Sequence, residues 1–154
     1  MYLLKDYTFE AFSNPVINAT VIAWFIAQSM KVLLVLLSEK RFDFSRFIGL
    51  GGMPSSHAST VCCLATAIAK TCGLNSPEFA ICFIFATVTM TDAAGVRLAA
   101  GQQAKVLNKM MYSWDDKDPD FFGKKLKELI GHTPLQVFTG AAIGIAIGLL
   151  VKIN

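Results

Sequence analysis

The chain has 154 residues, of which 54% are hydrophobic and 16% are charged, and its net charge is +3. A soluble domain carries about 25% charged residues, so the composition argues against a soluble globular protein, and the small net charge argues against binding to nucleic acid. The charges cluster between long apolar stretches, which is typical of membrane helices joined by wet loops. The four cysteines lie in or beside these stretches without a metal-ligand spacing, and we interpret them as small buried residues.

Four apolar segments predict an all-α integral membrane bundle, because a spanning helix needs about 20 mostly apolar residues. The first segment has a typical helix start, with Asn14 as the N-cap and Pro15 at the first helical position. The residues before it lack the order of a signal peptide, so we expect the segment to remain in the mature protein. The bundle forms one domain over residues 1–154, with spans at 15–37, 58–74, 77–96 and 134–153 and polar loops at 38–57 and 97–133.

The second polar loop contains two further helical patterns. Residues 98–112 have a helical composition, and we expect them to extend the third span out of the bilayer. Residues 121–130 predict a short amphipathic helix that ends at Gly131 and lies on the membrane surface.

Four spans place both polar loops on the same side of the membrane. Basic residues are concentrated in these two loops, and the positive-inside rule therefore predicts that this side is cytoplasmic. We expect the protein in the plasma membrane of a bacterium or in an organelle membrane. The basic residues of the two loops are Lys40, Arg41, Arg46, Arg97, Lys105, Lys109, Lys117, Lys124, Lys125 and Lys127.

The first polar motif lies where the second span begins and reads Gly-Gly-Met-Pro-Ser-Ser-His over residues 51–57. The free N–H groups and the dipole of a helix N-terminus favour an anion there. Ser55 and Ser56 add hydroxyl donors, and His57 is suited to protonate a leaving oxygen. The alternative is an ordinary capped turn in which His57 faces the lipid headgroups.

Asp92 and Arg97 interrupt the end of the third apolar segment. Ionisable residues at membrane depth are costly and usually face the protein interior. The planar guanidinium of Arg97 suits phosphate oxygens. The alternative is a structural ion pair between Asp92 and Arg97.

The two histidines of the sequence fall on the same predicted side, because His132 lies just before the fourth span. Gln28 and Lys31 are three residues apart and share a helix face near that side. Lys31 either points inward to balance a phosphate or snorkels to the interface, and the alternative for His132 is a position at headgroup level. Two imidazoles, two basic side chains and serine hydroxyls are what phosphoryl transfer through a histidine requires.

Three glycines, Gly140, Gly144 and Gly148, share one face of the fourth span. Small residues at this spacing allow two membrane helices to approach closely. The neighbour is either another helix of the chain or a second copy, so a homo-oligomer through this face is one interpretation.

These motifs resemble a divergent branch of the type-2 phosphatidic acid phosphatase superfamily, which also includes bacterial acid phosphatases and vanadium-dependent haloperoxidases. The resemblance extends from Gln28 to Gly148, and its strongest signatures are Gly-Gly-Met-Pro-Ser-Ser-His, Asp-Ala-Ala-Gly-Val-Arg and Gly-His-Thr-Pro. It implies that His57 is the general acid, that Arg97 holds the phosphate and that His132 is the nucleophile.

The third superfamily motif is interrupted in this chain. Val96 replaces the serine before the arginine, and Gln103 stands at the expected place of the nucleophilic histidine, so the match to His132 implies an insertion. Gln136 stands at the place of the aspartate that orients this histidine. Glu128 and Asp92 are possible substitutes for that aspartate.

The other two motifs also depart from the superfamily pattern. Ser56 replaces the glycine of Pro-Ser-Gly-His. In the first motif Lys31 matches the lysine, but Ser38 stands at the place of the arginine, and Arg41 or Arg46 is a possible substitute.

The resemblance implies a membrane lipid phosphatase that hydrolyses a phosphomonoester or a diphosphate through a phosphohistidine, without a metal or other cofactor. Lipid and a phosphorylated lipid substrate are the expected partners. The alternatives are a non-catalytic protein that binds or carries phosphorylated lipid and a structural membrane subunit. The residues assigned to the phosphate are Lys31, Arg97, Ser55 and Ser56, those assigned to catalysis are His132 and His57, and those assigned to support are Gln136, Asp92 and Gln28.

Overall fold

The structure is a computed structural model that describes residues 13–40, 47, 52–114, 126–128 and 131–152. All regular elements in this part of the chain are helices, which confirms the predicted all-α class. Two stretches, Pro15–Ser38 and Pro77–Met111, are long and apolar enough to cross a membrane. The helices are α1 (Pro15–Glu39), α2 (Ser56–Cys72), α3 (Pro77–Ala94), α4 (Val96–Trp114) and α5 (Pro134–Leu150).

Four of these helices begin at a side-chain cap. The cap oxygen accepts a hydrogen bond from a backbone N–H of the first turn, which would otherwise have no partner. Proline follows the cap in α1, α3 and α5, where its fixed φ suits the first helical position. The caps are Asn14, Ser55, Ser76 and Thr133.

The glycine face of α5 packs against α2 of the same chain. A Cβ atom added at Gly140 would overlap the carbonyl oxygen of Ser55, and one added at Gly144 would overlap that of Ser59. Contact positions advance in the same direction on both helices, so α2 and α5 run parallel with their N-termini at one end. In this structure the face that the sequence left open to a second copy is therefore filled within the chain.

Helix α1 packs antiparallel to α2 through small residues. The Ser59 hydroxyl donates to the carbonyl oxygen of Ala23 at 3.2 Å, and the Cys63 thiol donates to that of Ala19 at 3.5 Å. Both alanines are fully buried. This close contact brings the C-terminal part of α1 to the N-terminus of α2.

Lys70 joins α2 to α5 at the opposite end of the helices. Its ammonium group donates to the carbonyl oxygens of Gly148, Leu149 and Val151 at 3.1, 2.9 and 2.8 Å. Such carbonyls at a helix C-terminus lack intrahelical partners and favour a cation. Lys70 therefore stabilises the end of α5.

Helices α3 and α4 are separated at Gly95, whose φ of −107° and ψ of −85° are not helical. The third apolar segment therefore ends at Ala94, and residues 98–112 are helical, as their composition predicted, within α4.

The predicted amphipathic helix at 121–130 lies mostly outside the described residues. Residues 126–128 are described and are not helical, so the prediction is wrong for this part of the segment. The physical reason is a side-chain contact: Asn108 accepts a hydrogen bond from the Leu126 N–H at 3.0 Å and donates to the Leu126 carbonyl at 2.9 Å. The backbone of Leu126 is thereby paired with α4.

Large apolar side chains are exposed along α1, α3 and α5. Leu37, Ile81 and Phe138 are 69%, 69% and 72% exposed. Extended apolar surfaces of this kind are rare on soluble monomers and mark contact with membrane or protein. The outer surface of these helices is therefore suited to hydrocarbon.

Candidate functional site

The N-termini of α2 and α5 meet at one end of the helix pair. The backbone N–H of Ser55 donates to the carbonyl oxygen of Gln136 at 2.9 Å, which fixes the two starts side by side. Because the helices run parallel, the positive ends of both dipoles lie together. An anion at this end would be stabilised by both helices.

The two imidazoles lie at this paired N-terminus. His57 is the second residue of α2, and His132 lies two residues before α5. Their ring centroids are 6.0 Å apart, with an interplanar angle of 61°. His132 is only 2% exposed, and its backbone N–H donates to the carbonyl oxygen of Ala93 at 3.0 Å. The structure thus brings together two histidines that are 75 positions apart in the sequence (132 minus 57).

Gln136 determines which nitrogen of His132 carries the proton. Its Oε1 accepts a hydrogen bond from the backbone N–H of Thr133 at 3.1 Å, which identifies this atom as the amide oxygen, because a backbone N–H can only donate. The same oxygen lies 3.3 Å from Nδ1 of His132. An amide oxygen has no proton to give, so this hydrogen bond requires the proton on Nδ1.

Lys31 points into the protein. It lies on the α1 face that carries the fully buried Ala23 and Ala27, at the same spacing of four residues, and it is itself 4% exposed. Its Nζ donates to the hydroxyl of Ser56, the first residue of α2, at 3.2 Å. Of the two interpretations from the sequence, the inward orientation is the one observed.

Ser55 differs from Ser56 in its hydrogen bonding. The Ser55 hydroxyl accepts from the Ala58 N–H at 3.3 Å as the N-cap of α2, and Ser55 is fully buried. The Ser56 hydroxyl accepts from Lys31, as described above. Ser56 is therefore the serine whose side chain is linked to a basic residue of the cluster.

Arg97 forms an ion pair with Asp92. The guanidinium Nε donates to Asp92 Oδ2, and the two side chains are 44% and 38% exposed. The structural ion pair that the sequence allowed is thus present. The contact uses one arm of the guanidinium, and within the described part of the chain the two Nη groups make no hydrogen bond.

Burial is the main influence on both imidazoles, which lie outside the two candidate spans. It lowers the pKa of His132, as do the nearby Lys31 and His57, whereas hydrogen bonds to Gln136 and to the backbone of Gly52 act in the opposite direction. The surroundings of His132 therefore favour its neutral form.

The pKa of His57 is also lowered, first by burial and then by the charges of Arg97 and Lys31, while Asp92 opposes this shift. An anion bound among these groups would offset the cationic charges and raise the pKa of His57.

Gln28 does not join this cluster through a hydrogen bond. It is 4% exposed, and its Nε2 donates to the carbonyl oxygen of residue 47 at 2.7 Å. Its Oε1 is buried without a partner among the described residues. Gln28 therefore links α1 to the backbone of the first polar loop at residue 47.

The described residues that were considered as substitutes for the missing motif residues are hydrogen-bonded to other partners than His132. Glu128 accepts a hydrogen bond from Asn108 at 2.8 Å, and Asp92 is paired with Arg97. Arg41 and Arg46 lie outside the described residues. Where the chain is described, no group of three or more His, Cys, Asp or Glu is placed to hold a metal ion.

Sequence reasoning missed Asn108, which is 3% exposed. A signal was present: Gly101, Ala104 and Asn108 follow one another at helical spacing, and all three are buried. A polar residue on a face of small residues indicates a specific partner, because buried amides are hydrogen-bonded. The partner itself is remote in sequence and was not predictable from this pattern.

Comparison with known proteins gives a match to one family and one relative. The family model described as the Divergent PAP2 family matches residues 12–147. The chain is 39% identical over 152 residues to the uncharacterized membrane protein YuiD of Bacillus subtilis (strain 168), an alignment that covers 92% of this chain and 96% of that protein. No solved structure matches the chain.

Proposed function

The chain belongs to the Divergent PAP2 family, and from this premise we propose that it is a membrane lipid phosphatase that acts through a phosphohistidine. The observation that carries the proposal is the position of His57 and His132, with ring centroids 6.0 Å apart at two paired helix N-termini. Phosphoryl transfer needs a nucleophile and an acid on either side of one phosphorus atom, and stabilisation of the oxygens between them.

Protein cations and helix N-termini would hold the phosphoryl oxygens. Lys31 lies beside Ser56, and Arg97 has two Nη groups available. The first N–H groups of α2, at Ser56 and His57, have no intrahelical partner and suit an anion. Together these groups would offset the negative charge that a metal ion offsets in other phosphatases.

His132 is assigned the nucleophilic step. Nε2 attacks phosphorus, a P–N bond forms, and the bond from phosphorus to the leaving oxygen breaks. His57, protonated when the phosphate is bound, gives its proton to that oxygen. Neutral His57 then takes a proton from water, whose oxygen attacks the phosphohistidine and releases inorganic phosphate.

A lipid is the substrate that the surroundings favour. The site lies at one end of helices whose outer surfaces are apolar, so a bound phosphate would lie at headgroup depth if α1, α2, α3 and α5 all cross the bilayer. We propose this four-span arrangement in a single domain, with the site on the cytoplasmic side as the distribution of basic residues indicates. Isoprenoid diphosphates, phosphatidic acid and phosphatidylglycerophosphate all have suitable headgroups.

A second function is favoured by one specific observation. The partner of His132 is the neutral amide of Gln136, which orients the imidazole but stabilises a cationic ring less than a carboxylate does. A protein that binds phosphorylated lipid without turnover would need the cations and would not need a carboxylate.

The test is phosphate release from lipid substrates by the detergent-solubilised protein in the presence of EDTA. We expect release by the unmodified protein, loss of release in His132→Ala, and retention in the matched control Leu135→Ala, which alters an exposed side chain three residues away. Affinity for vanadate, a phosphate mimic, is measured in parallel. Vanadate binding without release from any substrate would favour the binding protein, and absence of both would contradict an anion site.

A further inference from the structure

The residues before His132 are fastened to α4 at a point remote from the imidazoles. The amide of Asn108 makes three hydrogen bonds: to the N–H of Leu126, to the carbonyl of Leu126 and to the carboxylate of Glu128, at 3.0, 2.9 and 2.8 Å. The side-chain amide of Asn108 therefore both donates to and accepts from a segment that lies 18 to 20 positions further along the chain. Asn108 is 3% exposed, so these bonds are shielded from water.

A second attachment lies immediately before His132. A Cβ atom added at Gly131 would overlap the backbone of Arg97 and Leu98 at the start of α4. The N–H of His132 then donates to the carbonyl oxygen of Ala93, near the end of α3. Gly131 therefore allows the backbone before His132 to lie directly on the helix that carries Arg97.

The two attachments leave little slack between them. Leu98 and Asn108 are ten residues apart, which is about 15 Å along a helix. Gly131 is five positions beyond Leu126, and this length of chain reaches at most about 17 Å. A displacement of Leu126 along α4 would therefore be transmitted to Gly131 and His132.

We propose that Asn108 is a positioning residue that holds His132 beside His57. It touches neither imidazole, and it acts by fixing the segment that delivers His132 to the paired helix N-termini. A long insertion separates Arg97 from His132, so a second fixed point is needed to bring the nucleophile back to the arginine's helix. The catalytic part of this inference rests on the proposed function, whereas the structural part concerns the environment of His132 alone.

The first experiment compares Asn108→Ala with Lys109→Ala, which changes the exposed neighbour on the same helix. We expect kcat for lipid phosphate to fall about 10- to 100-fold in Asn108→Ala, because a nucleophile displaced by about 1 Å loses up to roughly 100-fold in rate. KM should change little, since Lys31 and Arg97 are not altered. Lys109→Ala should keep both parameters.

If Asn108→Ala does not fold, a pair of variants that exchanges the amide of Asn108 with the carboxylate of Glu128 provides a second test. Asn108→Asp keeps an acceptor for the Leu126 N–H but places a second carboxylate beside Glu128. Adding Glu128→Gln restores a donor and acceptor pair between residues 108 and 128 with the roles reversed, while the hydrogen bond to the Leu126 carbonyl stays lost. We expect the double variant to recover part of the kcat that Asn108→Asp alone loses.

The second readout does not depend on turnover. The sequence has two histidines, so protein labelled with 15N-histidine shows two imidazoles by NMR. In the unmodified protein we expect His132 to carry its proton on Nδ1, and in Asn108→Ala we expect mixed tautomers and a pKa closer to 6.5. If the unmodified protein releases no phosphate, the proposed function fails, and the NMR result alone decides the positioning role. An unchanged His132 signal in Asn108→Ala would overturn that role, as would an unchanged kcat in an active enzyme.

Discussion

Replacing Gln136 with glutamate would place a carboxylate where an amide oxygen now faces Nδ1 of His132 at 3.3 Å. The change should be tolerated, because a glutamate can still accept from the Thr133 N–H in the capping box, and the N-terminus of α5 favours negative charge. An opposite charge within about 4–6 Å shifts a pKa by about 1–3 units. Since Gln136 is partly exposed, we expect a shift of about one unit in the pKa of His132, the lower end of this range, which corresponds to about 1.4 kcal/mol.

This energy acts on the step in which the ring of His132 becomes cationic. If the carboxylate stabilises that ring in the transition state by about 1.4 kcal/mol, the rate of phosphate release rises about tenfold. The pH profile should move as well. In the proposed mechanism the neutral imidazole is the nucleophile, so activity would be lost as the pH falls below the pKa of His132. Raising this pKa by about one unit would shift the acidic limb about one unit toward higher pH.

The assay is the pH dependence of phosphate release by Gln136→Glu and by the unmodified protein. Gln103→Glu is the matched control, because it adds the same charge at an exposed position on α4. It should leave the rate and the acidic limb unchanged. If Gln136→Glu changes neither, the idea that Gln136 orients His132 is refuted.

Two further substitutions test the anion site and the helix pair. Lys31→Met should weaken vanadate binding by roughly tenfold or more without lowering the melting temperature, because among the described residues this buried ammonium has no carboxylate partner. The control Lys70→Met, at the other end of the helices, should lower the melting temperature and leave vanadate binding unchanged. A vanadate affinity in Lys31→Met equal to that of the unmodified protein would contradict the assignment of Lys31 to the anion site. Gly144→Ala should destabilise the protein by about 1–3 kcal/mol, because its Cβ meets the backbone of Ser59. Thermal unfolding in detergent measures this loss of stability. The control Ile145→Ala, at an exposed position, should lower the melting temperature much less. Equal melting temperatures for the two variants would argue against the parallel contact of α2 with α5.

Local signals predicted the helix starts and the fold class. Asn14 followed by proline begins α1 as predicted, and the predicted starts of the third and fourth spans at residues 77 and 134 are the first residues of α3 and α5. Caps are predictable because each is satisfied by a side chain within three residues of the helix start. The resemblance was also recognisable, and the match to the Divergent PAP2 family over residues 12–147 confirms it.

Contacts between remote residues were not predictable in the same way. The amphipathic pattern at 121–130 indicated a helix, yet residues 126–128 are not helical, because Asn108 pairs with the backbone of Leu126. The spacing of Gly144 and its neighbours indicated a close helix contact, but spacing carries no information on which helix fills it. The orientation of Lys31 likewise depends on Ser56, which lies 25 positions further along the chain.

The charges around His57 and His132 favour anion binding more directly than they favour catalysis. Positive potential at this place comes from two helix N-termini, Lys31 and Arg97, and the ion pair with Asp92 offsets part of it. Such a site favours an anion whether or not chemistry follows. The proposed turnover requires in addition that a cationic ring be stabilised on His132 during attack, and the residue hydrogen-bonded to that ring is Gln136. Under this proposal, the difference between a lipid phosphatase and a lipid-phosphate-binding protein lies in how well one neutral amide supports that charge.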